Sequence, residues 1–500
     1  MGKKSITRNY IYNMAYQVLI LVLPLITTPY LARVLGAEGT GIYSYTYAIV
    51  TYFILFGSLG IALYGQREIA YAQEDKEARK RIFFELVLFR FITVGIAIVC
   101  YALTFMRGET YQIYYRILII ELIAAAFDIS WFFQGLEEFK KTVLRNILVR
   151  VCSVALVFTL VKTREDLAKF TLIYSLADLI GNLSLWLYLP KYFKGIKVKE
   201  IKIFRHLPQI MLLFIPQVAN QLYKILDTTM IGRIIADKSE LGFYEQSQKV
   251  VRLLLTVVTS LGVVMIPRMA STFASGDKKK VNEYMKMSFR FVFFLSFPIM
   301  FGLISVSKEF VPVFFGDGYD KVAPIMCIIS PIILLMGIAN VIGTQYMIPT
   351  KKQKEYTISI IIGVVFNFIC NYFMIIKWGA IGASISTVLS QLIVDIVEAM
   401  FVKKEVEFKD MLSLAGNYFS AGIIMFALCL GVRYGLSILP IFTNVAPELT
   451  KFYLAIRVAI VVAVGVLSYM GLLIFIFKDK FINTFLDKIK SKFMKGEVIE

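Results

Sequence analysis

Apolar runs long enough to cross a bilayer follow one another along almost the whole chain, and nothing else in the sequence restricts the fold as strongly. Spanning about 30 Å of hydrocarbon as a helix takes roughly 20 residues. Runs of that kind occupy 11–32, 41–63, 82–105, 113–134, 143–162 and 167–190. They continue at 208–232, 242–266, 287–307, 322–348, 357–376, 380–402, 413–436 and 452–477. Only short polar breaks separate them. A soluble chain of 500 residues would divide into domains with polar surfaces, whereas here 58% of residues are hydrophobic. The expectation is an all-α polytopic membrane protein with about 14 transmembrane helices.

The formal net charge of +19 suggests a nucleic-acid partner until its placement is considered. Lys and Arg gather in alternate breaks: MGKKSITR (1–8), REIAYAQEDKEARKR (67–81), EEFKKTVLR (137–145), PKYFKGIKVKEIKIFR (190–205), SGDKKK (275–280), TKKQK (350–354) and VKKEVEFK (402–409). The intervening breaks are poorer by roughly three to one, with 162–169 a mild exception, which places both termini in the cytoplasm. The charge is topological and suits anionic membrane lipids, not nucleic acid. The five cysteines fall inside apolar spans without paired spacing, as packing residues do. The basic N-terminus leads into a long span without a cleavage pattern and reads as a retained first helix. Residues 478–500 read as a basic amphipathic tail on the cytoplasmic surface.

The chain contains an internal repeat. GIYSYTYAIV (41–50) aligns with GFYEQSQKVV (242–251), and DKEARKRIFFELVLFRF (75–91) parallels DKKKVNEYMKMSFRF (277–291). Arg33 and Arg233 precede the first pair, and Gln134 resembles Gln345. Each copy holds six spans, an even number, so both enter the membrane in the same direction. Two pseudo-symmetric six-helix lobes are expected at 1–200 and 201–408, with an appended helix pair at 409–477. Such paired bundles serve alternating access.

Charged groups within the spans cost about 2.5–3.5 kcal/mol each at mid-bilayer. Arg90, Arg150 and Arg290 lie near cytoplasmic ends, where long side chains snorkel, and Asp128 and Asp178 have basic residues to pair with. Lys224, Asp227 and Arg252 lie deeper. Lys224 and Asp227 share a helical face at i, i+3, so they either pair with each other or serve a wet cavity. In the second case, cations there meet an anionic substrate, for which phosphate is the natural partner. Asn367 and Asn371 stand at i, i+4, and Thr387 follows one helix later. With Asp227 they offer hard oxygen donors for Na⁺, or a proton relay through the carboxylate; helix–helix hydrogen bonding is the alternative.

Several stretches resemble one family. PYLARVLGAEGTGIYSY (29–45), GQREIA (65–70), DISWFFQGLEEFKKTVLRN (128–146) and DTTMIGRI, LGFYEQSQKV and IPRMAS within 227–271 are similar to Wzx-type oligosaccharide flippases. These belong to the multidrug/oligosaccharidyl-lipid/polysaccharide exporter (MOP) superfamily. The resemblance implies transport of undecaprenyl-diphosphate-linked repeat units from the inner to the outer leaflet of the bacterial cytoplasmic membrane, for capsule or O-antigen assembly. A polysaccharide polymerase complex is the further expected partner. The related MurJ branch implies fourteen helices, an arginine-lined cavity and a Na⁺ site in the second lobe. Asp227, Asn367, Asn371 and Thr387 fit that cation pattern in helix and spacing, although Asn371 stands where an acid can occur. The implied roles are diphosphate binding by Arg33, Lys224, Lys249 and Arg252, and coupling to Na⁺ or H⁺ at the Asp227 set. No other cofactor is expected.

Three other classes compete. A major-facilitator transporter also has two six-helix halves, but the loop 65–81 lacks the glycine-, Asp- and Arg-rich signature expected between its second and third helices. A drug exporter of the MOP superfamily would share the fold, but a cationic cavity suits its often cationic substrates poorly. A membrane enzyme of polysaccharide modification would need a catalytic platform; the single histidine, His206, falls in a cytoplasmic loop, so an enzyme is not expected. An inside-negative potential of 100 mV favours outward movement of a doubly charged diphosphate by about 4–5 kcal/mol.

Overall fold

The computed structural model of the protein describes residues 6–108, 110–193, 201–443, 446, 449–479 and 481. Among these, the regular elements are all helical. They run α1 (Ile6–Ser58), α2 (Ile61–Tyr71), α3 (Lys76–Phe105), α4 (Gln112–Ala126), α5 (Ser130–Gly135), α6 (Phe139–Leu160), α7 (Leu167–Trp186), α8 (Pro190–Phe193) and α9 (Leu207–Ile234). Then follow α10 (Lys238–Thr259), α11 (Leu261–Ala274), α12 (Lys278–Phe314), α13 (Val322–Ile329), α14 (Ile332–Ala339), α15 (Gln353–Val402), α16 (Phe408–Ile438), α17 (Pro440–Thr443) and α18 (Thr450–Gly471). The expected tail lies outside the described residues apart from Lys478, Asp479 and Phe481.

Eleven helical segments among the described residues are long and apolar enough to cross a membrane. Two of them, Val22–Tyr71 and Gln353–Val402, are 50 residues long, far more than one crossing needs. Each is broken by a glycine at positive φ, Gly36 (71°) and Gly379 (56°), a conformation that side-chain-bearing residues adopt only at a cost. Those glycines lie where hydropathy separates 11–32 from 41–63 and 357–376 from 380–402. Both open a Gly-Ala-x-Gly sequence. By contrast α9, at 28 residues, is not among the eleven, because Gln209, Gln217, Asn220, Gln221 and Lys224 dilute its apolar run.

The repeat is visible in local structure. Asp75 caps α3 by accepting from Glu77 N at 3.0 Å and Ala78 N at 2.9 Å. Its repeat partner Asp277 caps α12 by accepting from Lys280 N at 3.0 Å. In both copies one aspartate satisfies amides that the first helical turn leaves open. Gly41 and Gly242, equivalent in the alignment, each sit at a backbone crossing. A Cβ on Gly41 would lie 1.9 Å from the Lys238 carbonyl oxygen, and one on Gly242 would lie 1.9 Å from that of Ala37.

The chain separates into two compact units, Met1–Glu245 and Gln246–Glu500. In the first, α4 packs on α7, α1 and α3, and α9 packs on α1 and α2. Its core holds the fully buried Phe83, Trp131, Phe132 and Phe133. In the second unit, α16 and α18 pack on each other and on α12, which docks the appended pair. All five cysteines are free.

Candidate functional site

Helix α9 turns two chemically different faces outward and inward within one turn. Lys224 is exposed and forms no ion pair among the described residues. Asp227, three residues on, is buried, and its Oδ2 accepts from the Tyr244 hydroxyl at 2.5 Å. The Lys224–Asp227 ion pair considered from spacing does not form. Spacing of i, i+3 puts two residues on one side of a helix, but here the boundary of burial runs between them. Next to Asp227, the Thr228 hydroxyl donates to Glu245 Oε1 at 2.5 Å and Thr229 shares a 2.9 Å hydrogen bond with Tyr52. Arg33, in α1 of the same unit, is also exposed.

In the second unit, Arg252 is exposed and makes no ion pair among the described residues, and Lys249, one turn earlier on α10, is half-buried. Helix α15 supplies the other predicted set. Asn367, Asn371 and Thr387 are all buried. Asn371 Nδ2 donates to Asn367 Oδ1 at 3.0 Å, and Asn367 Nδ2 donates to Ser386 Oγ at 3.4 Å. Thr387 donates to the Ala383 carbonyl at 2.8 Å. The structure thus gathers these amides and hydroxyls across the Gly379 break, while the carboxylate of Asp227 belongs to the first unit.

Other intramembrane charges turn out to be structural. Arg90 does not snorkel: it is buried, donates to the Asp128 carbonyl at 3.1 Å and lies 3.7 Å from its carboxylate. Arg150 and Asp178 approach to 3.9 Å. His206 lies in the connection between α8 and α9, in a 3₁₀ turn at Ile203–His206, and is buried.

Two acidic residues escaped the sequence reading. Asp395 and Glu398, in the run SQLIVDIVEAM, are buried on α15. Gln391 donates to Asp395 Oδ1 at 2.9 Å, and Ser359 donates to Glu398 Oε1 at 3.3 Å. Neither forms an ion pair among the described residues, and Asp395 Oδ2 and Glu398 Oε2 have no hydrogen-bond partner there. The signal that singled out Asp227, an acid inside an apolar run, applies equally to both.

Known proteins place this architecture. A family model described as polysaccharide biosynthesis protein matches residues 6–273, and one described as lipid II flippase MurJ matches 151–446. An Escherichia coli (strain K12) protein named "Putative O-antigen transporter" is 26% identical over 407 residues, covering 80% of this chain and 98% of its own. A Haloferax volcanii protein named "Probable low-salt glycan biosynthesis flippase" is 22% identical, covering 81% and 85%. Among solved structures, lipid II flippase MurJ in an inward closed conformation superposes with a TM-score of 0.63 at 16% identity, covering 93% of this chain and 98% of that one. An inward-facing multidrug resistance MATE family transporter gives 0.55 at 14% identity, covering 76% and 94%. The chain is a multi-pass membrane protein whose fold is that of solved MurJ and MATE transporters. It belongs to the polysaccharide biosynthesis protein family and is of the Wzx flippase type.

Proposed function

We propose that this protein carries lipid-linked oligosaccharide repeat units across the bacterial cytoplasmic membrane, from the cytoplasmic to the outer leaflet, for surface polysaccharide assembly. It is a transporter, not an enzyme. The diphosphate is held by Arg33, Lys224, Lys249 and Arg252 through charge-assisted hydrogen bonds, while the polyprenyl tail stays in lipid. Both termini are cytoplasmic. Membrane potential favours export of the anionic substrate. A counter-moving Na⁺ or H⁺ adds drive, with Asp227 as its carboxylate and Asn367, Asn371 and Thr387 as neutral oxygens. A polysaccharide polymerase complex takes the product.

One observation supports this reading: Lys224 on α9 and Arg252 on α10 are both exposed, and neither has an acid in salt-bridge reach among the described residues. A membrane protein keeps an unneutralised cation on a helix chiefly where water or an anion meets it. The test is a deletion strain scored for the leaflet in which lipid-linked repeat units accumulate. The expected result is build-up in the inner leaflet, relieved by the wild-type chain and not by Lys224→Ala or Arg252→Ala. Normal surface glycan in the deletion strain overturns it. For the cation, Na⁺ is expected to raise the melting temperature of the purified wild type, and Asp227→Ala to remove that rise. A wild type indifferent to Na⁺ assigns the coupling to H⁺.

A further inference from the structure

A second cationic site lies far along the chain from the residues above, in the second unit. Lys308 and Glu309 stand near the end of α12, six and five residues before Phe314. Arg433 is five residues before the end of α16 at Ile438, and Arg457 is seven residues after the start of α18 at Thr450. At 1.5 Å per residue, all four sit about 8–10 Å in from their helix ends, roughly headgroup depth. They line a cavity of about 500 Å³ together with Leu430, Tyr434, Ser437 and Leu454. These helix ends are opposite the Lys-rich breaks at 275–280 and 402–409, so the positive-inside bias puts the cavity at the outer leaflet.

The charges in this cavity do not balance. Glu309 is the single acid against three cations. Its Oε1 serves both guanidiniums, at 2.7 Å from Arg433 Nε and 3.5 Å from Arg457 Nη2. Arg433 also donates to the Ser305 carbonyl at 3.1 Å. Arg457 Nε is buried without a hydrogen-bond partner among the described residues. Lys308 is exposed and makes no ion pair there. A structural fastening of α16 and α18 to α12 would need one cation opposite Glu309. Two further cations in a cleft walled by leucines are costly unless an anion joins them.

We propose that this cavity binds a phosphate group, presented by an anionic lipid headgroup whose acyl chains lie along the leucine wall. Arginine supplies the forked donors that phosphate oxygens accept, and Lys308 adds a mobile point charge at the mouth. Inorganic phosphate carries the same chemistry, and the experiment separates the two sources. The purified full chain in a non-ionic detergent is titrated with dioctanoyl-phosphatidylglycerol, dioctanoyl-phosphatidylcholine or inorganic phosphate while thermal unfolding is followed.

The expected result is a rise in melting temperature with phosphatidylglycerol and none with phosphatidylcholine. Arg457→Gln keeps Glu309 paired with Arg433 and is expected to weaken the response roughly tenfold. Lys308→Gln, on an exposed residue that the fold does not need, is expected to weaken it about threefold and keeps the test alive if the arginine variant misfolds. An equal response to inorganic phosphate, with the same dependence on both variants, supports the site and makes its occupant a small anion. No response to either phosphate, or variants that respond like the wild type, overturns the proposal and leaves the cluster a fastening.

Discussion

Two buried glutamates show how differently the two units treat charge. In the first, Glu85 is fully enclosed on α3 and every direction around it is answered. Arg205 Nη2 lies 2.6 Å from Oε2, His206 Nε2 lies 2.9 Å from the same oxygen, and the Lys202 amide donates to Oε1 at 2.8 Å. The far ring nitrogen of His206 faces the Tyr64 hydroxyl at 2.7 Å, so Tyr64 donating to Nδ1 leaves Nε2–H to donate to Glu85. In the second unit, Glu398 is just as deeply buried on α15, yet among the described residues only Ser359 donates to it, at 3.3 Å. A charge that is neutralised and hydrogen-bonded on all sides is part of the scaffold. One left half-satisfied within a membrane helix is a candidate for a role in transport.

The largest effect that can break this contrast is expected at Glu85. Glu85→Gln removes the counter-charge of Arg205 and strands a buried histidine, and losing one partner of a buried ion pair costs about 3–5 kcal/mol. Chemical unfolding of the purified variant, compared with wild type in the same detergent, measures it. A loss under about 1 kcal/mol would mean the Glu85 network is dispensable.

At Glu398 the same substitution should do little to stability. No cation loses its partner, and the amide can still accept from Ser359 while offering its own N–H. The change is expected to stay within about 1 kcal/mol of zero. Transport in the deletion strain should fall even so. A large destabilisation with transport intact per folded molecule reverses the comparison and makes Glu398 scaffold.

The sequence makes the architecture legible because the bilayer imposes one length on every span. Apolar runs, the Lys-rich breaks and the repeated Asp75 and Asp277 caps all follow from local rules. Gly36 and Gly379 are where the runs part, and hydropathy locates both breaks within a few residues. The candidate site is legible only in composition. That Lys224 and Asp227 part company across a burial boundary depends on how α9 is rotated against its neighbours, which spacing does not encode. Glu309, Arg433 and Arg457 are more than a hundred residues apart from first to last, and only the docking of α16 and α18 on α12 brings them together. The burial of His206 is hidden for the same reason, because Glu85 and Tyr64, its partners, lie over a hundred residues upstream.

The smallest effect tests whether full satisfaction alone confers stability, by taking it to the water-facing edge. Glu405, in the break between α15 and α16, accepts from Lys352 at 2.5 Å and from Tyr346 at 2.8 Å. Partial burial pushes its carboxyl up, but the bonds from Lys352 and Tyr346 outweigh that and hold it below the ordinary glutamate range. With the folded-state value depressed, the ion pair stabilises the native protein above the unfolded value of about 4.3. That contribution disappears as pH falls through the folded value. Because the Glu405 side chain is 44% exposed, solvent screening limits the contribution to under about 1 kcal/mol. Melting temperatures of wild type and Glu405→Gln should therefore differ slightly at pH 7 and converge as pH falls through the depressed folded-state value. A gap at pH 7 as wide as that of Glu85→Gln would show that partner count, not burial, sets the worth of these glutamates.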